Sequence, residues 1–405
     1  METLSLTISP LGYEEHNWVA QDNGMVGRRR LARATGPYQS AIVPPIAEYM
    51  PALPTDLAAD TEEATAALVG FDDYAASTLG LGSPLLGPMS SILLRTESAS
   101  SSQIENLTVS ARQLALAQIN QATSHNATIV EDNVRAMEAA LALAQHIDES
   151  TIGAVQAELL RSQSEIADAL GQYRQRLVWV GTSDVGPREA SYVAPQPERV
   201  PAAMRDLVAF IARDDLPIVI QIALAHAQFE SIHPFVDGNG RTGRALVHAI
   251  LKNKGIVTRT TAPVSAGLLR QTSAYVEALT AYRRGDARPI VERFADAARF
   301  AASSGKTLVD DLAAELARDR AKLAGLRSQA SAWMVLPHLI ALPVIDAATL
   351  VSRLGLSEVT SQRALSQLVT SGVLTERTGK RRGRIYQHLG IISILDDYAA
   401  ALRRT

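Results

Sequence analysis

The first fifty or so residues scatter apolar side chains without period among Gly36-Pro37, Pro44-Pro45, Pro51 and Pro54. Proline fixes φ and removes a backbone donor, so this stretch predicts an extended arm laid over a core. From about residue 61 to 169 the pattern changes. Ala, Leu, Gln and Glu predominate and apolar positions recur every three or four residues, which predicts consecutive amphipathic helices. Two short runs rich in β-branched and aromatic residues, beginning at Arg176 and Ala190, enclose a Gly- and Pro-containing segment and predict a hairpin over about 176–193. Helical spacing then resumes. Carboxylates and proline in Asp214-Asp215-Leu216-Pro217 suit a first turn, and that helix should reach about Ile232. Another should run from near Asn239 to Asn253-Lys254-Gly255, where glycine marks the end, and further helices continue to about Gly325. The expected fold class is mostly α: a helical bundle with a small β-hairpin and a separate α+β tail.

Composition shifts beyond about residue 329. The chain holds 39 Lys plus Arg against 42 Asp plus Glu, net -3, yet residues 331–405 carry nine basic side chains against five acidic ones. Bulk charge therefore excludes a nucleic-acid coat, and any basic site must be local. In the tail, 346–354 reads as a short helix, Gly355-Leu356-Ser357 as a turn and 358–371 as a second helix, which is helix-turn-helix spacing. Strand-like 373–376 and 385–388 flank Arg377-Thr-Gly-Lys-Arg-Arg-Gly-Arg384, whose five basic residues would form a wing able to lie along DNA phosphates without reading sequence. With no cysteine, disulfides, thiolate nucleophiles and Cys-type zinc sites are excluded. No basic-then-apolar leader and no run of eighteen apolar residues is present, so a cytoplasmic protein without membrane contact is expected.

The densest chemistry is His233-Pro-Phe-Val-Asp-Gly-Asn-Gly-Arg-Thr-Gly-Arg244, a loop feeding a helix. Gly238 and Gly240 let a ligand approach the backbone, and the free amides and dipole of a helix start favour phosphate. Arg241 and Arg244, three apart, can fork onto phosphate oxygens, and Asp237 offers a hard oxygen suited to Mg²⁺. His233 at the loop entrance is the evident general base. A rival reading takes His226, Glu230 and His233, at i, i+4 and i+7, as a metal cluster, although the zincin order is lacking.

These twelve residues resemble the Fic family at all eight fixed positions of His-x-Phe-x-Asp/Glu-Gly-Asn-Gly-Arg-x-x-Arg. The resemblance implies an enzyme that moves AMP from ATP onto a protein hydroxyl, with pyrophosphate leaving. It gives His233 the role of base, Asp237 that of Mg²⁺ ligand, and Asn239 with the neighbouring amides that of α-phosphate cradle. Arg241 would neutralise the β-phosphate and Arg244 the γ-phosphate, with Phe235 anchoring the loop in the core. At Gly240 the related Doc-type kinases carry Lys, so glycine favours AMP transfer over phosphorylation.

Upstream, Ser101-x-x-x-Glu105-Asn106 resembles the family's inhibitory helix, Ser/Thr-x-x-x-Glu-Gly/Asn, in its N-terminal, same-chain form. The expectation is a serine-capped helix whose Glu105 pairs with Arg244 and occupies the γ-phosphate position. The 176–193 hairpin resembles the family's flap, which would hold a target segment as an added strand. The stretch 269–279 resembles the helix walling the adenine pocket, with Tyr275 on the base. The tail resembles winged-helix modules appended to such enzymes, serving DNA contact through 358–384, or dimerisation. The segments so defined are 1–110 for the arm and inhibitory helix, 111–325 for the catalytic core, and 331–405 for the winged helix. The competing class is a DNA-binding regulator whose Fic core is idle or modifies only itself.

Overall fold

The computed structural model describes residues 6–21, 27–79, 84–181, 185–379 and 383–402. Where a plain extended arm was expected, the chain forms an antiparallel pair, β1 (Gly12–Trp18) and β2 (Gly36–Ile42), with Gly12 opposite Ile42 and Trp18 opposite Gly36. A helix, α1 (Arg28–Ala34), lies between them in sequence; it spans two turns and buries Ala34 alone, too little to print a period. The helical stretch resolves into α2 (Thr55–Leu79), α3 (Leu86–Ile104), α4 (Ala111–Ala117), α5 (His125–Ala142) and α6 (Glu149–Leu159). The hairpin contracts to β3 (Trp179–Val180) and β4 (Tyr192–Val193), and residues 182–184 of it lie outside the described residues.

After it come α7 (Val200–Ala212), α8 (Ile218–Ile232), α9 (Asn239–Asn253), α10 (Val264–Leu269), α11 (Thr272–Arg283) and α12 (Arg288–Lys322). The tail follows as α13 (Ser331–Val335), β5 (Val344–Ile345), α14 (Ala347–Leu354), α15 (Glu358–Thr370), β6 (Thr375–Glu376), β7 (Tyr386–Gln387) and α16 (Leu389–Ala401). The fold is mostly helical. Two compact units interleave along the chain. One takes residues up to Glu63, Ala139–Lys254 and Ser273–Ala295; the other takes Ala64–Glu138, Gly255–Thr272 and Asp296 onward. Three helices, α2, α5 and α12, each begin in one unit and end in the other.

In the first unit, α7 and α9 pack on α8, whose fifteen residues are all buried, and α6 packs on α9 and α7. A helix apolar on every side must sit inside a bundle, and its polar side chains then need partners. Gln221 Nε2 donates to the carbonyls of Phe210, Ile211 and Arg213, tying α8 to the end of α7. Gln228 Nε2 donates to Pro44 O at 2.8 Å while its Oε1 accepts from the Tyr282 hydroxyl at 2.8 Å. These bonds hold the helix that delivers His233.

In the second unit, α3 packs on α10, and Glu97 of α3, with no exposure, accepts the amide and hydroxyl of Ser265 at 2.8 and 2.5 Å. Asp72 of α2 similarly accepts the amides of Thr258, Arg259 and Thr260 and the hydroxyls of Thr258 and Thr260, so both buried carboxylates are satisfied by amides and hydroxyls. In the tail, Asp346 caps α14 through the Thr349 amide, Gly355 ends it at φ 66, and Ser357 caps α15. The three strands form one antiparallel sheet in the order β5-β7-β6. Of the expected basic wing, Lys380, Arg381 and Arg382 lie outside the described residues. His388 caps α16 by accepting the Ile391 amide on Nδ1 at 3.1 Å, and its Nε2 meets buried Asp319 of α12 at 2.5 Å.

Candidate active site

The residue after α8 is His233, held in the left-handed region at φ 50 and ψ 61, with its amide still donating to Phe229 O at 2.9 Å. This conformation turns the chain sharply out of the helix and leaves the imidazole half-buried at the loop entrance. Its main chain is pinned by Arg174, a fully interior residue of the segment before β3. Arg174 Nε donates to His233 O at 2.8 Å, its amide to Pro234 O at 3.0 Å, and its terminal nitrogens to Pro195 O and Arg176 O. Burial lowers the Arg174 pKa to about 10, still cationic at neutral pH, and the cost is met by the carbonyls of His233, Arg176, Pro195 and, at 3.5 Å, Ile232. Phe235 is fully buried between Tyr173 and Phe229, at ring separations of 5.9 and 6.3 Å.

Asn239 closes the loop on itself: Phe235 N donates to its Oδ1 at 2.9 Å, and its Nδ2 donates back to Phe235 O at 3.0 Å. Gly238, at φ 78, caps α9 without any side-chain acceptor, and the first intrahelical bond runs from Thr242 N to Gly238 O at 3.0 Å. The amides of the first turn therefore precede the hydrogen-bond ladder, as a phosphate cradle requires. Asp237 is exposed; its Oδ1 accepts the Gly238 amide at 2.6 Å, and among the described residues no donor engages its second oxygen. Arg241 and Arg244 are 4% and 3% exposed. Sequence reasoning passed over Gly243. A Cβ there would lie 2.9 Å from Phe229 and 3.2 Å from His226, so glycine is what lets α9 approach α8 closely. A Cβ on Gly238 would come within 2.9 Å of Leu159 in a conformation unfavourable to L-residues, so Gly238→Ala should cost about 1–2 kcal/mol. Urea unfolding checks this, and an unchanged midpoint would contradict the tight bend.

His226, Glu230 and His233 do not converge as metal ligands. Among the described residues the grouping of that kind is Glu315, Asp319 and His388 of the second unit, whose ligand atoms lie within 4.8 Å of one another. His226 Nε2 instead meets the Tyr275 hydroxyl at 2.6 Å, its ring lies against Phe294, and Tyr275 is 4% exposed. The structure thus places Tyr275 in the interior on His226. Glu230 Oε2 lies 3.9 Å from His233 Nδ1, and its carbonyl accepts from Arg283 at 3.1 Å.

Burial, and then the positive charge of Arg244, push the His226 pKa down to about 3. A depressed folded-state value means that stability is whole above about pH 6.5 and falls toward pH 3, as the unfolded chain takes a proton that the folded one refuses. His226→Gln should therefore lose about 2 kcal/mol less than the wild type between pH 7 and pH 4.5 in urea titrations. Parallel losses in both proteins would contradict the assignment.

The Ser101–Asn106 segment is placed differently from expectation. Ser101 does not cap a helix start; it is buried within the last turn of α3, and Glu105 is that helix's C-cap residue. Asn106 takes φ 64, its amide donating to Gln103 O at 2.9 Å while that of Leu107 donates to Ser102 O at 3.1 Å. This paired ending needs a left-handed residue, which Gly and Asn supply most easily, and that accounts for Gly/Asn after the glutamate.

The start of α9 thus brings first-turn amides and two interior arginines together at one bend. Residues 146–251 match the model of the Fic/DOC family, so the chain carries a domain of that family. A probable protein adenylyltransferase of Aquifex aeolicus is 39% identical over 69 residues, which are 17% of this chain and 22% of that protein. The protein adenylyltransferase Fic of Drosophila virilis is 33% identical over 129 residues, 31% of this chain and 24% of that protein. The matched stretch thus spans less than a quarter of the length of these curated relatives. A crystal structure of a Fic family protein from Desulfovibrio desulfuricans G20 aligns over 82% of this chain and 94% of that one, at 22% identity and a TM-score of 0.49. Among the described residues no helix is long and apolar enough to cross a membrane.

Proposed function

We propose that the chain transfers AMP from ATP to a hydroxyl side chain of a protein, itself included, releasing pyrophosphate, and that Glu105 restrains this activity through Arg244. The observation that carries the reading is the bend between α8 and α9, in which His233, its main chain pinned by Arg174, stands at the entrance of a glycine-lined helix start backed by two interior arginines. The adenylyltransferase names of the curated relatives support the donor.

In this reading His233 takes the proton of the attacking hydroxyl, and the Glu230 carboxylate 3.9 Å away stabilises the imidazolium that results. Asn239 and the amides of Gly240 and Arg241 receive the α-phosphate. The Arg241 and Arg244 guanidiniums balance the charge that accumulates on departing pyrophosphate. Asp237, with one oxygen fixed by Gly238 and the other unengaged, suits Mg²⁺, which takes one or two carboxylates plus phosphate oxygens; bound there, the ion would neutralise phosphate charge. The β3–β4 hairpin would align the target as an added strand, and 331–405 forms a winged-helix module for DNA or a second copy of the chain.

The test uses ATP labelled at the α-phosphate or at the γ-phosphate, with Mg²⁺ and a cell extract. Label entering protein from the α position alone supports adenylyl transfer. Label entering from the γ position alone means phosphorylation and rejects the reading.

A further inference from the structure

We infer that Tyr192 of β4 and Arg283 of α11 are positioning residues for His233, which act by clamping the last turn of α8 from outside. An α-helix leaves its final carbonyls without intrahelical donors, and its last turn ordinarily frays. In α8 the Phe229 carbonyl receives the His233 amide, after which the chain turns away, so the carbonyls of Glu230, Ser231 and Ile232 need donors from elsewhere. Arg283 donates to Glu230 O at 3.1 Å, the Tyr192 hydroxyl donates to Ser231 O, and Arg174 reaches Ile232 O at 3.5 Å. All of these groups belong to the first unit.

Tyr192 and Arg283 also hold each other. The Arg283 guanidinium lies 3.7 Å from the centre of the Tyr192 ring, a cation–π contact, and its buried Nε has no hydrogen-bond partner among the described residues, so the ring face takes that side of the charge. Tyr192 is 6% exposed, and burial pushes its pKa up, so the hydroxyl keeps the proton it donates at neutral pH.

The turn so held carries the Glu230 carboxylate, 3.9 Å from His233 Nδ1, and ends on the histidine itself. Tyr192 is at the same time the β4 residue opposite Val180 of β3. One ring therefore ties the hairpin that would receive a target strand to the helix end that delivers the base, and sets the separation between them. The phosphate cradle is held separately, by the paired bonds of Asn239 and Phe235. Loosening the clamp should thus displace the imidazole and leave the nucleotide site in place, and a shift of about 1 Å in a reacting group can cost about a hundredfold in rate. This effect on rate rests on the role proposed for His233 above.

Amide exchange of the full chain, without nucleotide, tests the clamp. Tyr192→Phe removes one hydrogen bond and keeps the ring; the His233 amide should then exchange about tenfold faster, while the Thr242 amide at the start of α9 exchanges as before. In the Glu105→Gly background, with α-labelled ATP, Tyr192→Phe should lower the rate at saturating ATP about tenfold and keep the KM for ATP within about twofold. Arg283→Met should do the same, and Arg283→Lys, which keeps a cationic donor, should recover most of the rate. If Tyr192→Phe does not fold, the two Arg283 variants decide. Unchanged exchange at His233 overturns the clamp whether or not the chain transfers AMP, so its failure is distinct from failure of the proposed function. An unchanged rate, or a rise in the KM for ATP as large as the fall in rate, overturns the positioning role.

Discussion

Glu105→Gly raises transfer of α-labelled phosphate to protein by about ten- to a hundredfold. That range follows if one charge-assisted hydrogen bond, about 1.5–3 kcal/mol net, separates the resting from the competent arrangement. The substitution is clean because of where Glu105 sits. At φ -94 and ψ 19 it closes α3, the left-handed position belongs to Asn106, and the two backbone bonds of the helix end use no side-chain atom of Glu105. Losing that bond should lower the melting temperature by no more than a few degrees, so that a rise in rate of this size reports the carboxylate and not unfolding. Glu105→Gln, which keeps the shape and removes the charge, should recover much of the gain. Equal rates for Glu105→Gly and the wild type would sink the inhibitory role.

Removing the imidazole acts in the opposite direction. In the Glu105→Gly background, His233→Ala is expected to reduce transfer by about 10²–10⁴-fold, the usual worth of a positioned general base. His233 occupies the left-handed region, where alanine is strained by about 1–2 kcal/mol, so alanine alone confounds chemistry with folding. Asparagine tolerates that conformation and cannot serve as a base at neutral pH, which makes His233→Asn the sharper variant. Loss of transfer with ATP binding retained would identify the imidazole with the chemical step. Transfer by His233→Asn at the parent rate would refute it.

The stretch from α8 to α9 was legible in the sequence because its constraints are local. Pro217 and its preceding carboxylates open α8, Gly238 bends the loop, and Asn253-Lys254-Gly255 closes α9 within a residue of expectation. What was not legible depends on partners distant in the chain. Arg174 lies 59 residues before the histidine whose carbonyl it holds, and an arginine in a loop gives no sign that four carbonyls will surround it. Glu230 and Gly243 matter through the contact of two helices, which periodicity cannot specify in a helix buried on every side. Ser101 was read as a cap because serine favours helix starts, whereas the long run of small residues in α3 carries the helix through it to Ile104. The β1–β2 pairing escaped because its strands are tied across a gap of seventeen residues by register alone.

The tie between His388 and Asp319 bears on how such a chain can be shortened. Nδ1 of the ring accepts the Ile391 amide, so the proton shared with Asp319 sits on the other nitrogen, and the histidine joins the start of the last helix to the last turn of α12. A truncation just ahead of His388 would strip a fully interior carboxylate of its imidazole and leave Lys322 as its remaining counterion. The C-terminal region is accordingly no detachable cassette: shedding it would unsettle the long helix itself, and any lineage or engineer dispensing with it would first have to neutralise Asp319.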